Sequence, residues 1–356
     1  MLVQYHTPQF LSPTKLDRFL AGGWFRNCHL LFRSKLLCIE REIFCIVNIR
    51  LPLKEYTYPK RMRKIYNRGN AKFRYEIGNL SLDAEKERLF EEHKHRFKGF
   101  LFDSLEQFFS EDLMGQQIFD TKEIRIYDGD KLVAYSFFDE GKFSLASLLG
   151  VFDADYSKYS LGTYSMLLEI EYAIDKAKKF YYPGYVLDKP SVFDYKLKLG
   201  KMDYYDWRMA RWENDFAITM KENPANFIQQ KLDEMADLLK VAKVPYRQML
   251  YPIFSLGYLS GFEDFVKSPA FLLIGNMDNP QFSTIIEYNM EEGIYTFSKV
   301  EAHKEMGELA EMRVTEDFSD SKLYEIKPLS YLKTLGRAEN PQELISKSMS
   351  KLNLKN

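Results

Sequence analysis

The chain has 356 residues, of which 46% are hydrophobic and 15% aromatic, enough apolar material for the cores of two or three domains and too much for a disordered tail. Its net charge of −1 conceals an asymmetry, since residues 1–74 carry 15 Lys+Arg against 4 Asp+Glu and the remainder carries 35 against 47. A cationic front on an acidic body is the footprint of a phosphate-binding surface, and no apolar run approaches the ~20 residues that span a bilayer. The start, Met1-Leu2-Val3-Gln4-Tyr5, lacks the charged-then-apolar plan of a signal peptide, so a cytoplasmic protein without membrane contact is expected.

Taken in order, Ser12-Pro13 opens a helix over Thr14–Leu20 that Gly22-Gly23 closes. Trp24 to Phe32 reads as a strand with its turn. Three cysteines, Cys28, Cys38 and Cys45, are an odd number in one small region, which argues against a secreted disulfide framework and leaves reduced thiols or a metal site. His29 is the conceivable fourth ligand, but adjacent residues of a strand point to opposite faces, so no metal is expected. Glu42 to Leu53 is β-branched enough for a buried strand.

The segment from Tyr58 to Gly69 then places Lys60, Arg61, Arg63, Lys64 and Arg68 on one short helix, with Pro59 at its first position and Gly69 as its stop. No acid interrupts Tyr56 to Arg74. Together with Arg50 these are the candidate RNA contacts; the other reading is a solvated basic helix.

Ser81 is the expected cap of a helix from Leu82 to about Lys98, and Leu101–Phe109 a second helical piece. Strands follow at Glu123–Tyr127, Lys131–Phe138 and Phe143–Phe152, with Asp128-Gly129 as a hairpin turn between the first two. A polar, aromatic loop, Asp153–Ser160, leads to a helix opened by Leu161-Gly162-Thr163, where Leu167, Ile170, Ile174 and Ala177 recur at helical spacing. Phe180–Leu187 is the next strand, in which Pro183 must sit at an edge or bulge. Meander, helix, strand is the order of an N-acetyltransferase-like (GNAT-like) core, so the fold class is α/β of the α+β kind. Residues 215–356 read as an appended α+β module, helical at Pro224–Lys240 and Tyr246–Leu250 and extended at Phe271–Asn276, Phe282–Tyr288 and Ile294–Val300. Three domains result: 1–115 basic, 116–214 core and 215–356 appended.

Three runs carry a resemblance. Ser160-Leu161-Gly162-Thr163-Tyr164 entering a helix, then Tyr182-Pro183-Gly184-Tyr185, then Phe193-Asp194-Tyr195-Lys196 resemble, in order and spacing, the C-terminal half of the arginyl/leucyl-tRNA–protein transferases. Gly22-Gly23-Trp24-Phe25-Arg26 with Leu31-Phe32-Arg33 resembles that family's N-terminal region, and Asp128 to Ala134 its D-G-x-L-V-A run, here with Asp130-Lys131 before Leu132. In the family, close cysteines including a C-x-x-C pair form a metal or iron–sulfur site; no such pair is present here.

The resemblance implies transfer of arginine or leucine from the 3′ ester of aminoacyl-tRNA to the N-terminal amine of an acceptor protein. An ester is already activated, so no cofactor or metal is needed beyond aminoacyl-tRNA as co-substrate; alignment and relief of the oxyanion suffice. Backbone amides of Leu161, Gly162, Thr163 and Tyr164, following Ser160, are the expected donors, Tyr185 and Tyr195 would position the terminal adenosine or acceptor, and Lys196 would read phosphate. Asp188 is the candidate for holding the ammonium or accepting its proton. Tyrosines at these spacings also serve as ordinary core. Two other functions remain: a coenzyme A-dependent N-acyltransferase, which would want a Q/R-x-x-G-x-G/A loop where this chain has a single glycine, and a non-catalytic tRNA- or degron-binding protein.

Overall fold

The structure is a computed structural model that describes residues 1–96, 100–109, 118–219, 223–274, 282–303, 312–314, 318 and 320–348. In chain order its elements are β1 (Val3–His6), α1 (Pro13–Ala21), β2 (Phe25–Asn27), β3 (Leu30–Ser34), β4 (Leu36–Ile39), β5 (Glu42–Pro52), α2 (Lys60–Lys72), β6 (Arg74–Asn79), α3 (Ala84–His93), β7 (Phe100–Phe102), α4 (Leu105–Phe108), β8 (Thr121–Asp128), β9 (Lys131–Glu140), β10 (Ser144–Phe152), α5 (Leu161–Asp175) and β11 (Phe180–Leu187). They continue with β12 (Asp203–Asp206), β13 (Arg211–Glu213), α6 (Phe216–Thr219), α7 (Pro224–Val241), β14 (Tyr246–Leu250), β15 (Ala270–Ile274), β16 (Phe282–Asn289), β17 (Ile294–Ala302), β18 (Met312–Val314), β19 (Leu329–Ala338) and a final helix, Pro341–Ser348.

A central sheet runs β13-β12-β5-β11-β10-β9-β8-β6. The β8-β9-β10 meander, the crossover helix α5 and β11 form the expected GNAT-like core, and β10 and β11 are parallel as a helical crossover requires. The sheet also takes β5 and β6 from residues 1–115, so backbone ladders cross the boundary drawn at 116. β5 is buried along most of its length because Ile43–Ile46 belong to the core shared with the C-terminal sheet while Val47, Ile49 and Leu51 belong to the core that includes α5. That second sheet, β14-β15-β16-β17-β19, shares a continuous core with β4, β5 and α7.

Several local expectations shift. The basic helix does not stop at Gly69 but runs to Lys72, and Gly69 is buried inside it under the ring of Tyr164. Asp83, not Ser81, caps α3, because Ser81 instead meets Glu123 and the buried Lys86 ammonium, whose Nζ lies 2.7 Å from Glu123 Oε2. Residues 100–102 form a strand ahead of a single helical turn. Tyr246–Leu250 is likewise a strand, β14, paired residue for residue with β15. Phe97, Lys98 and Asn276, within segments expected to be helix and strand, lie outside the described residues. No helix among the described residues is long and apolar enough to cross a membrane.

Candidate active site

Parallel pairing of β10 with β11 is confined to Ser144–Ala146 against Phe180–Tyr182. Beyond it the two strands are no longer paired, with a bulge between Ser147 and Leu149 in β10 and an irregularity between Tyr181 and Gly184, which includes Pro183, in β11. The wedge so opened, with α5 beneath it, holds a cavity of about 640 Å³.

Ser160, Gly162, Thr163, Tyr185, Tyr195 and Lys196 line it, so three separate motifs converge. Ser160 takes the left-handed conformation at φ 60°, and the amides of Thr163 and Tyr164 bond back to its carbonyl at 3.0 and 2.9 Å. Among the described residues the Leu161 and Gly162 amides meet no acceptor, which narrows the donor set to these two at the positive end of α5. The side chains of Leu161 and Tyr164 face the core instead, Tyr164 donating its hydroxyl to Asn70 Oδ1 at 2.6 Å.

Lys196 sits on the far wall, its Nζ 3.3 Å from the Tyr185 carbonyl oxygen and over the Tyr185 and Phe193 rings at 5.2 Å each. It is half-buried and lines the cavity. Burial therefore pushes its pKa down to about 8. Gly184, at φ 99°, leaves the room it occupies, since a β-carbon there would lie 3.2 Å from Nζ.

Glu169 escapes a motif-based reading. It is fully buried on α5, two turns beyond Gly162, and lines the cavity floor. Tyr181 donates to its Oε2 at 2.7 Å, while Oε1 has no hydrogen-bond partner. Burial raises its pKa to about 7. The signal was present: an acid on a helix otherwise buried nearly all round. Asp139, also buried at the cavity, differs in being neutralised, because Arg26 bonds it at 2.8 Å and Thr121 at 2.7 Å. His93 lines the cavity too, with Nδ1 2.8 Å from the Phe152 carbonyl and its pKa lowered by burial.

Two expected residues are elsewhere. Asp188 is not among the cavity-lining residues: its Oδ1 accepts from the Cys45 amide at 2.8 Å and its Oδ2 from Asn223 at 2.6 Å, tying β5 to the start of α7. Arg50 is half-buried against Asp203 at 2.9 Å and stacked over Phe180 at 4.0 Å, so its charge is spent within the sheet. Lys60, Arg61, Arg63, Lys64 and Arg68 are exposed on α2. Contacts of Tyr66 with Glu171 and of Asn70 with Tyr164 run α2 antiparallel along α5. Its C-terminal half brings Arg68 over Tyr159, next to Ser160, at 5.6 Å, and the segment before it brings the Tyr56 hydroxyl to the Leu199 carbonyl at 2.6 Å, three residues from Lys196.

The three cysteines for which the family resemblance implies a metal site are all buried. Cys45 Sγ is 3.1 Å from Asn223 Oδ1, and burial pushes the Cys28 and Cys45 thiols up to about 12. Among the described residues no three His, Cys, Asp or Glu side chains converge as ligands.

Residues 82–206 match the family model for the C terminus of arginine-tRNA-protein transferase. An aspartate/glutamate leucyltransferase of Leptospira interrogans is 30% identical over 201 residues, covering 54% of this chain and 76% of that protein. The chain belongs to the arginyl/leucyl-tRNA–protein transferase family. The enzyme is therefore an aminoacyltransferase, acting as an aminoacyl-tRNA–protein transferase. An aspartate/glutamate leucyltransferase of a Shewanella species (strain MR-7) is 29% identical over 188 residues, 52% of the transferase and 76% of the relative. Among solved structures, a GCN5-related N-acetyltransferase from Anabaena variabilis superposes with a TM-score of 0.29 at 8% identity, covering 92% of this chain and 72% of that one.

Proposed function

We propose that the transferase moves arginine or leucine from the 3′ ester of charged tRNA to the N-terminal amine of an acceptor protein, within the cavity between β10 and β11. The observation that carries this reading is that the start of α5, where the Leu161 and Gly162 amides meet no acceptor among the described residues, and a lysine of depressed pKa border one cavity. The basic helix reaches Tyr159, next to Ser160, through Arg68, and the segment before it reaches Leu199 through Tyr56. α2 takes the RNA backbone, and Tyr185 and Tyr195 offer rings to the terminal adenosine.

The chemistry follows from these positions. The ester carbonyl oxygen lies against the Leu161 and Gly162 amides, which stabilise it as negative charge develops. The acceptor amine attacks the carbonyl carbon, and its surplus proton passes to Lys196 Nζ. With a pKa of about 8, Lys196 is matched to an α-amine, whose ordinary value is about 7.7–8.0. The bond from carbon to the ribose oxygen then breaks, and that oxygen takes the proton back from Lys196 as the tRNA leaves with a free hydroxyl. An amide now joins the amino acid to the acceptor. Asp188, held on both carboxylate oxygens, takes no part.

The test is transfer of radiolabelled arginine or leucine from charged tRNA to peptides beginning with Asp, Glu, Arg or Lys, with acetyl-coenzyme A in parallel. Label should reach the peptide amine from tRNA only. Label from coenzyme A alone would make the chain a small-molecule N-acyltransferase, and label from neither donor would favour a binding role.

A further inference from the structure

We propose that Glu169 is the residue that selects the donated amino acid, and that it selects arginine by receiving the guanidinium at the end of the cavity. This rests on the transfer reaction above and names its donor. The starting point is a physical anomaly. A buried carboxylate oxygen without a hydrogen bond is costly, and Glu169 Oε1 is such an atom, on a residue that lines the cavity. The Ser136 hydroxyl on β9, also buried, also lines the cavity and also lacks a partner. The hydroxyls of Ser136 and Ser147 stand near enough to favour the charged carboxylate, but neither completes a bond to Oε1. Among the described residues no Lys, Arg or His forms an ion pair with Glu169, whereas the cavity's other buried acid, Asp139, already has Arg26. What is missing is a group with several N–H donors and a positive charge, which describes a guanidinium.

Length supports the same choice. Glu169 lies seven residues beyond Gly162 on one helix, about 10 Å along its axis, with its side chain leaning back toward the helix start. With the ester carbonyl at the Leu161 and Gly162 amides, an extended arginine carries its guanidinium about 7 Å onward, within hydrogen-bond reach of the carboxylate. A leucine ends roughly 4 Å from its carbonyl carbon and would leave Oε1 and the Ser136 hydroxyl without a partner. The relatives named as leucyltransferases would then differ from this chain in the donor they accept.

The experiment compares arginyl-tRNA with leucyl-tRNA as donors to one acidic peptide, using the full chain and the variants Glu169→Gln and Glu169→Leu, each checked for an intact melting transition. The wild type is expected to favour the arginyl donor in kcat/KM by at least about 100-fold. E169Q should lower the arginyl rate about 30-fold or more while changing the leucyl rate less than about threefold, and E169L should narrow or reverse the preference. Argininamide should raise the melting temperature of the wild type and not of E169L. Preference for leucine in the wild type overturns the proposal, as does an equal loss from both donors, which would assign Glu169 to the α-ammonium they share. If no donor supports transfer, the transferase reading itself has failed; an argininamide shift abolished in E169L would then still uphold the subsite, and its absence would end it.

Discussion

The ring of Tyr164 lies so close to Gly69 that a β-carbon on the glycine would come within 2.4 Å of it. This contact seats the basic helix α2 on α5, whose first turn borders the cavity, so the placement of the cationic surface and the geometry of the reaction site depend on one absent side chain. Tyr164 is fully buried and its hydroxyl is engaged by Asn70, which leaves the ring no alternative position.

Gly69→Ala should therefore destabilise the protein by roughly 1–3 kcal/mol, the usual range for overpacking a closed contact, despite alanine's better helix propensity. Urea denaturation measures the loss. A neutral or stabilising outcome would mean that α2 can shift along α5 freely.

Reversing charge at Arg61 and Arg63 should weaken tRNA binding at least ~10-fold at moderate salt and reduce the dependence of affinity on salt by about one unit of slope per lost phosphate contact. Both side chains are exposed, so the melting temperature should hardly move. Filter binding across a salt series gives the answer. The same reversal at Arg50 should act differently: by setting a negative charge against Asp203 inside the sheet it lowers stability first.

Lys196→Met should cut kcat by about 10²–10⁴ while changing the apparent affinity for charged tRNA much less. In the wild type kcat should rise with pH through about 8, as burial has lowered the pKa of this lysine from 10.5, and the variant should lose that limb. Stability carries the same signature. Between about 8 and 10.5 the unfolded chain holds a proton that the folded chain has released, so unfolding free energy rises with pH there, and the methionine variant should not show that share of the rise.

Glu169 predicts the opposite slope at lower pH. Its folded pKa of about 7 exceeds the unfolded 4.5, so the folded state holds the proton more tightly, and raising the pH from 4.5 to 7 removes stability. Glu169→Gln should flatten the decline between pH 5 and 7 by on the order of 1–3 kcal/mol, with Glu287, buried and raised to about 7 in the C-terminal sheet, supplying a remaining part. Melting curves of both forms across that range decide it.

Asp188→Asn should cost about 1–3 kcal/mol of stability through loss of the charged acceptor for the Cys45 amide and Asn223, and leave turnover per folded molecule within about threefold. A variant that is stable but inactive would return Asp188 to the chemistry.

Local pattern alone determined a good deal. The β10–α5–β11 unit, the α1 boundaries with the Ser12 cap, the Asp128-Gly129 hairpin and the confinement of Pro183 to an irregular point of its strand all follow from short-range rules of capping, turn geometry and missing donors. The run of exposed cations on α2 was equally plain, because charge needs no partner to be legible. Tertiary structure decided the rest. Whether Arg50 offers its charge depends on Asp203, 153 positions away; whether Gly69 ends a helix depends on Tyr164; and whether Tyr246–Leu250 is helix or strand depends on an edge of β15 that accepts it. Glu169 and Lys196 gained their perturbed pKa values from burial, a property of the folded chain that no residue carries in its own letter.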